Sequence, residues 1–182
     1  ELGDQMPAHL SIANLLRYNG YQTSFFYGGE ASFDNMEAFL KKTGVEKIYD
    51  ERSFNGSQYQ KLPASSSGFS WGYDDESLFK HVLVKSEDDS VQSKLNIILT
   101  VATHSPFLIN NQQEYLNRFE RRMGELKFAE EQKRNYRNYQ NQYSSILYTD
   151  HAIRQFINEY SKRKDFKRTV FIITGDHRMP EI

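Results

Sequence analysis

The run Leu95-Asn96-Ile97-Ile98-Leu99-Thr100-Val101-Ala102, followed at once by Thr103-His104-Ser105-Pro106-Phe107, decides the fold. Its almost continuous apolar character is that of a strand covered on both faces, which is the pattern of a parallel sheet. Outward from it, Thr169-Val170-Phe171-Ile172-Ile173-Thr174 reads as a second buried strand, running into Gly175-Asp176-His177-Arg178. Thr23-Ser24-Phe25-Phe26-Tyr27 is a shorter β-prone run ended by Gly28-Gly29, and Val45 to Tyr49 reads as another. Helical patterns fill the intervals. Pro7 suits a first turn, with Leu10, Ala13 and Leu16 at helical spacing behind it and Gly20 as a stop. A second helix is expected from Asp34 to Lys42, closed by Gly44. A third opens at Asp74-Asp75-Glu76 with Leu78, Phe79 and Val82 as its buried stripe.

The stretch from Asn55 to Ser70 is rich in Ser and Gly and reads as a surface loop. From Glu130 to Tyr160 the pattern is helical throughout. Tyr136, Tyr139 and Tyr143 fall on one face, and Ile146, Ile153, Phe156 and Ile157 continue an apolar stripe. Its interleaved Lys, Arg and Tyr suit the solvated side of an amphipathic helix better than an RNA-binding surface. The alternation of helix and strand predicts an α/β fold, with a mainly parallel sheet and helices on both faces.

Composition narrows the function. Lys plus Arg number 23 and Asp plus Glu 24, for a net charge of −1, which gives no broad electrostatic ground for a nucleic-acid or an anionic-membrane partner. No apolar run approaches the roughly 18–20 residues of a membrane span, and no signal peptide is visible. Cysteine is absent, so the redox compartment is not legible. The chain opens at Glu1 without a methionine and stops at Ile182 soon after a strand-like run. Both ends therefore read as cut, and residues 1–182 as a fragment of one catalytic domain from which an anchor or secretion signal has been removed.

Functional groups in open α/β sheets gather at the carboxyl ends of strands, and both strong strands here end in polar clusters. Asp176 and His177 offer a carboxylate oxygen and an imidazole nitrogen at one strand end, a mixture that Mn²⁺ and Zn²⁺ accept and of which Mg²⁺ uses the carboxylate. The plainer alternative is that Asp176 caps a helix and His177 is a surface residue. His104 is placed to donate to a phosphate or sulfate oxygen, or to protonate a leaving group; the alternative is a strand-end histidine bonded to its own loop. His151 beside Asp150 lies in a helix, where adjacent residues point about 100° apart and rarely share an ion. His9 and His81 stand in helices without a supporting constellation.

Six segments in order resemble one family. Pro7-Ala8-His9-Leu10-Ser11-Ile12-Ala13-Asn14-Leu15-Leu16 with Asn19-Gly20-Tyr21-Gln22-Thr23 resembles the opening of sulfatase-like domains. Tyr27-Gly28-Gly29-Glu30-Ala31-Ser32-Phe33-Asp34-Asn35 resembles their substrate-side loop, and Trp71-Gly72-Tyr73-Asp74-Asp75-Glu76 the segment ahead of the next helix. Thr103-His104-Ser105-Pro106-Phe107, then Tyr148-Thr149-Asp150 with Ile153 and Phe156, then Thr174-Gly175-Asp176-His177 are similar to the later motifs. The resemblance is to the alkaline-phosphatase superfamily, in its lipoteichoic acid synthase and phosphoglycerol transferase branch.

That resemblance implies an alkaline-phosphatase-like fold, incomplete at both ends, and a divalent metal (Mn, Mg, Zn or Ca) on Asp176 and His177. It implies substrate contacts from His104, Asn35 and Arg178. The nucleophilic Thr and an earlier metal-binding carboxylate are expected upstream of Glu1, and a further histidine ligand beyond Ile182. It also implies an extracytoplasmic enzyme, membrane-anchored through a missing N-terminal segment. The substrate would be a phosphodiester or sulfate ester, with lipid-linked substrates included. Sulfatase and phosphoethanolamine transferase are the neighbouring readings, and a degenerate, non-catalytic ligand-binding module is the reading from another class. Lipoteichoic acid synthases carry Trp and then Arg around the loop Asn, where this chain has Asp34 and Met36.

Overall fold

The computed structural model describes residues 10–86 and 92–179. The chain divides into two compact units, one running to Val101 and the other starting at Ala102. The expected start of the first helix at Pro7, and His9 with it, lies outside the described residues.

The first unit is α/β. Helix α1 (Ile12–Tyr18) begins at Ser11, whose hydroxyl oxygen accepts the Asn14 N–H at 3.0 Å. It packs on strand β1 (Gln22–Tyr27), the centre of a three-stranded parallel sheet of order β2-β1-β3, with β2 at Lys47–Tyr49 and β3 at Lys94–Leu99. Phe25 stands opposite Ile48 on one side and Ile97 on the other. The central strand is buried from Thr23 to Tyr27, whereas β3 is half-buried along its whole length. An edge strand has a neighbour on one side only, and this is the physical reason its apolar run is not sealed. The strand also ends at Leu99 rather than Ala102; Val101 and Ala102 are buried in the turn that follows.

Helix α2 (Met36–Lys42) joins β1 to β2, and helix α3 (Asp75–Ser86) lies between β2 and β3. The first crossover moves one way across the sheet and the second moves back over β1. Right-handed crossovers in opposite directions put α2 and α3 on opposite faces. Helix α2 starts two residues later than Asp34, because Asp34 and Asn35 both adopt positive φ, 50° and 59°. Asp74 caps α3, accepting the Ser77 N–H at 2.8 Å, and Leu78, Phe79 and Val82 are buried as the spacing predicts.

The second unit is built on a helix that the sequence reading passed over. Helix α4 (Gln112–Glu125) buries only Tyr115, Phe119 and Met123, one residue per turn. The stretch read as one helix from Glu130 to Tyr160 is two, α5 (Glu130–Arg137) and α6 (Gln140–Tyr160). At the break the backbone tightens: the N–H groups of Asn138 and Tyr139 donate to the carbonyls three residues back, and Tyr139 leaves helical φ/ψ. The buried ladder of α6 is Ser144, Tyr148, Ala152, Phe156 and Tyr160, at strict spacing of four, while Ile146 faces solvent. Aromatic pairs lock α4 to α6, with Tyr115 against Tyr148 at 5.3 Å and Phe119 stacked on Tyr143 at 5.5 Å.

The expected strand at Thr169–Thr174 does not pair. Val170, Ile172 and Ile173 are exposed, and Phe171 alone turns inward, its ring 5.1 Å from that of Tyr160. A β-prone run needs a ladder to join, and the second unit holds no other strand among the described residues. No described helix is long and apolar enough to cross a membrane.

Candidate functional site

The loop that leaves β1 is fixed by backbone and by one buried carboxylate. Gly28 accepts the Tyr73 N–H at 2.8 Å and Gly29 accepts that of Glu51 at 2.9 Å. The approach is so close that a Cβ on Gly28 would stand 2.2 Å from the Tyr73 carbonyl oxygen. Asp50, 2% exposed, accepts the Ala31 N–H at 3.2 Å and pairs with Arg52 at 2.7 Å. The exposed Asn35 is thereby delivered at the end of a rigid loop, in left-handed conformation, at the N-terminus of α2.

The loops that follow β1 and β2 enclose a crevice at the carboxyl end of the sheet. It has a volume of about 130 Å³ and is lined by Tyr27, Glu30, Phe33, Glu51, Phe69, Ser70 and Trp71. Phe33 and Phe69 both meet the indole edge-on, at 5.9 and 4.9 Å. Burial, and behind it the charge of Glu51, pushes the Tyr27 phenol up, so it stays a donor. The sequence reading did not single out Tyr27, Glu30 or Glu51. The signal available was the strand end itself, since the loops there are where such groups collect.

In the second unit His104 lies exposed in the turn closed by Phe107 N–H on the His104 carbonyl at 2.8 Å. Its Nδ1 is 3.1 Å from the Ser105 carbonyl, which can only accept, so Nδ1 carries the proton and Nε2 donates only in the imidazolium.

Asp176 and His177 are brought together. The His177 N–H donates to Asp176 Oδ1 at 2.9 Å, and His177 Nε2 stands 3.7 Å from Asp176 Oδ2. The Nδ1 of His177 donates to the Arg178 carbonyl at 2.7 Å, which orients the ring and leaves the Nε2 lone pair available. Two donors, each roughly 2.1 Å from one tetrahedral ion, are separated by about 3.4 Å, so the pair fits two positions of a divalent metal. No group of three or more carboxylate, imidazole or thiol side chains placed for one ion occurs among the described residues. Asn35 belongs to the first unit, His104 to a separate turn of the second, and the exposed Arg178 follows the pair directly.

Comparison with known proteins gives this geometry its context. The Sulfatase family model matches residues 2–179. Phosphoglycerol transferase I of Escherichia coli strain 55989 is 26% identical over 175 residues, which is 94% of this chain and 20% of that protein. A protein in the alkaline phosphatase superfamily from Vibrio parahaemolyticus superposes with a TM-score of 0.60 at 24% identity, over 84% of this chain and 32% of that one. The lipoteichoic acid synthase LtaP from Listeria monocytogenes gives 0.59 at 20% identity, over 84% and 33%. The likeness to the solved structures establishes the α/β, alkaline-phosphatase-type fold, and the chain spans a fifth of the curated relative's length and about a third of each solved chain. With the family model covering nearly every residue, the chain belongs to the Sulfatase family.

Proposed function

We propose that the protein carrying this chain is a metal-dependent transferase of the phosphoglycerol transferase type, moving a phosphoryl-linked group from a phosphodiester at the outer side of the cell envelope. The observation that carries the reading is the Asp176–His177 pair in a Sulfatase-family chain, its Nε2 lone pair and carboxylate oxygen 3.7 Å apart with the ring held by the Arg178 carbonyl. The similarity to phosphoglycerol transferase I along 94% of the chain supports reading the substrate as a phosphodiester rather than a sulfate ester.

Asp176 and His177, with ligands outside this pair, would hold a divalent ion, whose Lewis acidity would serve to activate an alcohol nucleophile and steady the transferring group. The nucleophile and the remaining ligands belong, on this reading, to parts of the single catalytic domain beyond residues 1–182, with a membrane anchor ahead of it. The imidazolium of His104 would donate to a non-bridging or leaving oxygen, Arg178 would add positive charge, and the Asn35 amide would bond the departing or incoming group.

One observation favours a second reading. The crevice at the ends of β1 and β2 carries two carboxylates among aromatic walls, Glu30 and Glu51 beside Trp71. That lining suits a cationic headgroup and repels glycerol phosphate, which points to a phosphoethanolamine-type substrate.

The test is turnover by the whole protein with Mn²⁺ on bis-p-nitrophenyl phosphate and on p-nitrophenyl sulfate. The proposal expects phosphodiester cleavage that Asp176→Asn abolishes. Sulfate-ester turnover alone would make the protein a sulfatase, and metal binding without turnover on either ester would make it a binding module.

A further inference from the structure

A second group of charged residues, none of them given a role above, lines the groove between α4 and α6. Arg118, Arg121 and Arg122 stand at spacings of three and four and so share one face of α4. Across from them α6 presents Leu147, Asp150, His151 and Arg154, and Glu125 closes one end. The groove has a volume of about 340 Å³. Its lining sets four guanidinium groups against two carboxylates, so it is cationic in a chain whose net charge is −1.

The choice of cation is selective. The sequence holds 11 Arg and 12 Lys; four of the arginines line this groove and no lysine does. Arginine presents a planar fork that matches two oxygens of a phosphate, whereas lysine offers a point charge. The forks here are open. Arg137, outside the groove, is fully engaged by Glu120 through three N–O contacts of 2.9–3.1 Å. By contrast Arg118, Arg122 and Arg154 each spend one nitrogen on one carboxylate oxygen, at 2.5, 3.0 and 3.2 Å, and Arg121 has no ion pair among the described residues. Exposed pairs of this kind are weak enough to yield to a dianion.

The walls are also preorganised. The Arg118 guanidinium lies 4.8 Å over the ring of Tyr115, which is buried and pinned against Tyr148. The two helices are locked by their aromatic pairs, so the cations sit on rigid elements rather than on loops.

We propose that the α4–α6 groove is a binding site for a phosphate group, contacted by Arg118, Arg121, Arg122 and Arg154. The phosphate is either that of a soluble phosphate compound or that of an anionic lipid headgroup. The site shares no residue with His104, Asp176 or His177, so its failure leaves the proposed reaction standing, and the converse holds too.

The experiment takes the whole protein and two probes, inorganic pyrophosphate by calorimetry and phosphatidylglycerol-containing vesicles by co-sedimentation against phosphatidylcholine alone. Saturable pyrophosphate binding that falls at least about tenfold in Arg121→Gln/Arg154→Gln identifies a soluble phosphate ligand. Binding confined to the anionic vesicles and lost in the same variant identifies a headgroup. Both signals should fade as salt is raised, and Arg134→Gln on α5, outside the groove, should change neither. Arg121→Lys should keep vesicle attraction and weaken pyrophosphate, since charge survives and the fork does not. Should the double variant fold poorly, phenylglyoxal modification of Arg121 in the unaltered chain replaces it, with pyrophosphate or vesicles expected to slow the reaction. No binding by either probe, binding indifferent to the variant, or modification that neither probe slows would overturn the proposal.

Discussion

The imidazole of His81 lies stacked on the ring of Phe54, centroids 4.1 Å apart and planes 19° from parallel, and Phe54 is stacked in turn on Tyr73 at 4.2 Å. The Ser53 hydroxyl donates to the Asp50 carbonyl at 2.6 Å, so at 2.9 Å from His81 Nε2 it accepts, and the ring carries its proton on Nε2. Tyr59 then donates to Nδ1 at 3.4 Å. A neutral ring satisfies both hydroxyl partners, and a second proton would have to reverse the Tyr59 bond inside the aromatic stack.

That arrangement predicts an acid-sensitive fold. Burial, and behind it the Lys85 ammonium, pushes His81 down to about 4 from an ordinary 6.5. Between those values the unfolded chain binds a proton that the folded chain refuses, so stability rises with pH. The contribution is complete above about 6.5 and is lost as pH falls toward about 4. Glu37, Glu120 and Asp165, held low by Lys41, Arg137 and Arg163, titrate below their ordinary 4.5, 4.5 and 3.8 and leave the upper part of the window to His81. Thermal melts between about pH 6.5 and about pH 5 should show Tm falling in the native sequence and nearly flat in His81→Phe, which keeps the stack. Equal slopes would remove His81 as the cause.

Gly28→Ala should destabilise by about 2–3 kcal/mol, because its Cβ would press on the Tyr73 carbonyl and that backbone has no freedom to retreat. Gly124→Ala is the control: nothing lies within 4 Å of its Cβ and it sits in α4, so a gain of about 0.5–1 kcal/mol is expected. Urea unfolding of both variants measures the contrast.

These same residues mark how much the sequence disclosed. β1 and the buried face of α3 were legible because their apolar residues are the buried ones, whereas β3 was legible in place but not in burial, since its edge position leaves it half-buried. Helix α4 was not, since Tyr115, Phe119 and Met123 are isolated among charged residues and a stripe one residue wide is hard to distinguish from chance. Thr169–Thr174 misled for the opposite reason: β propensity is a property of side chains, whereas a strand is a property of the partner it pairs with. Of the proposed site, Asp176 beside His177 was visible as a motif. The acidic, aromatic crevice was not, because Tyr27, Glu51 and Trp71 are scattered in sequence and meet only when β1 and β2 lie side by side. His81 was dismissed as an ordinary helical residue, and nothing local could show that Phe54 would cover it.

Asp50→Ala should loosen the substrate-side loop. Its carboxylate holds the Ala31 N–H and the Arg52 guanidinium from a site 2% exposed, so truncation strands the buried Ala31 donor, while the exposed Arg52 keeps its pair with Glu37 at 2.9 Å. A loss of about 2–3 kcal/mol is expected. Amide exchange at Ala31 should accelerate more than exchange in α6, whose hydrogen bonds belong to the other unit. Uniform acceleration would mean that Asp50 supports the fold at large rather than the loop.

The roles proposed for His104 and His177 separate in one titration of the whole protein. His177 keeps its proton on Nδ1, against the Arg178 carbonyl, and points an Nε2 lone pair past Asp176. Removing that lone pair in His177→Ala should raise the Mn²⁺ concentration for half-maximal activity by at least the roughly 10–100-fold that losing an outer-shell partner of a metal ligand costs. His104 is bonded at Nδ1 to the Ser105 carbonyl and contacts substrate oxygen on the proposed reading. His104→Ala should lower kcat by about 10²-fold, the contribution of a single general acid or oxyanion donor, while the metal midpoint stays where it was. Phosphodiester rates measured across a Mn²⁺ series give both numbers at once. If the midpoint moves as far in His104→Ala as in His177→Ala, the two histidines serve the same ion, and the assignment of His104 to the substrate is wrong.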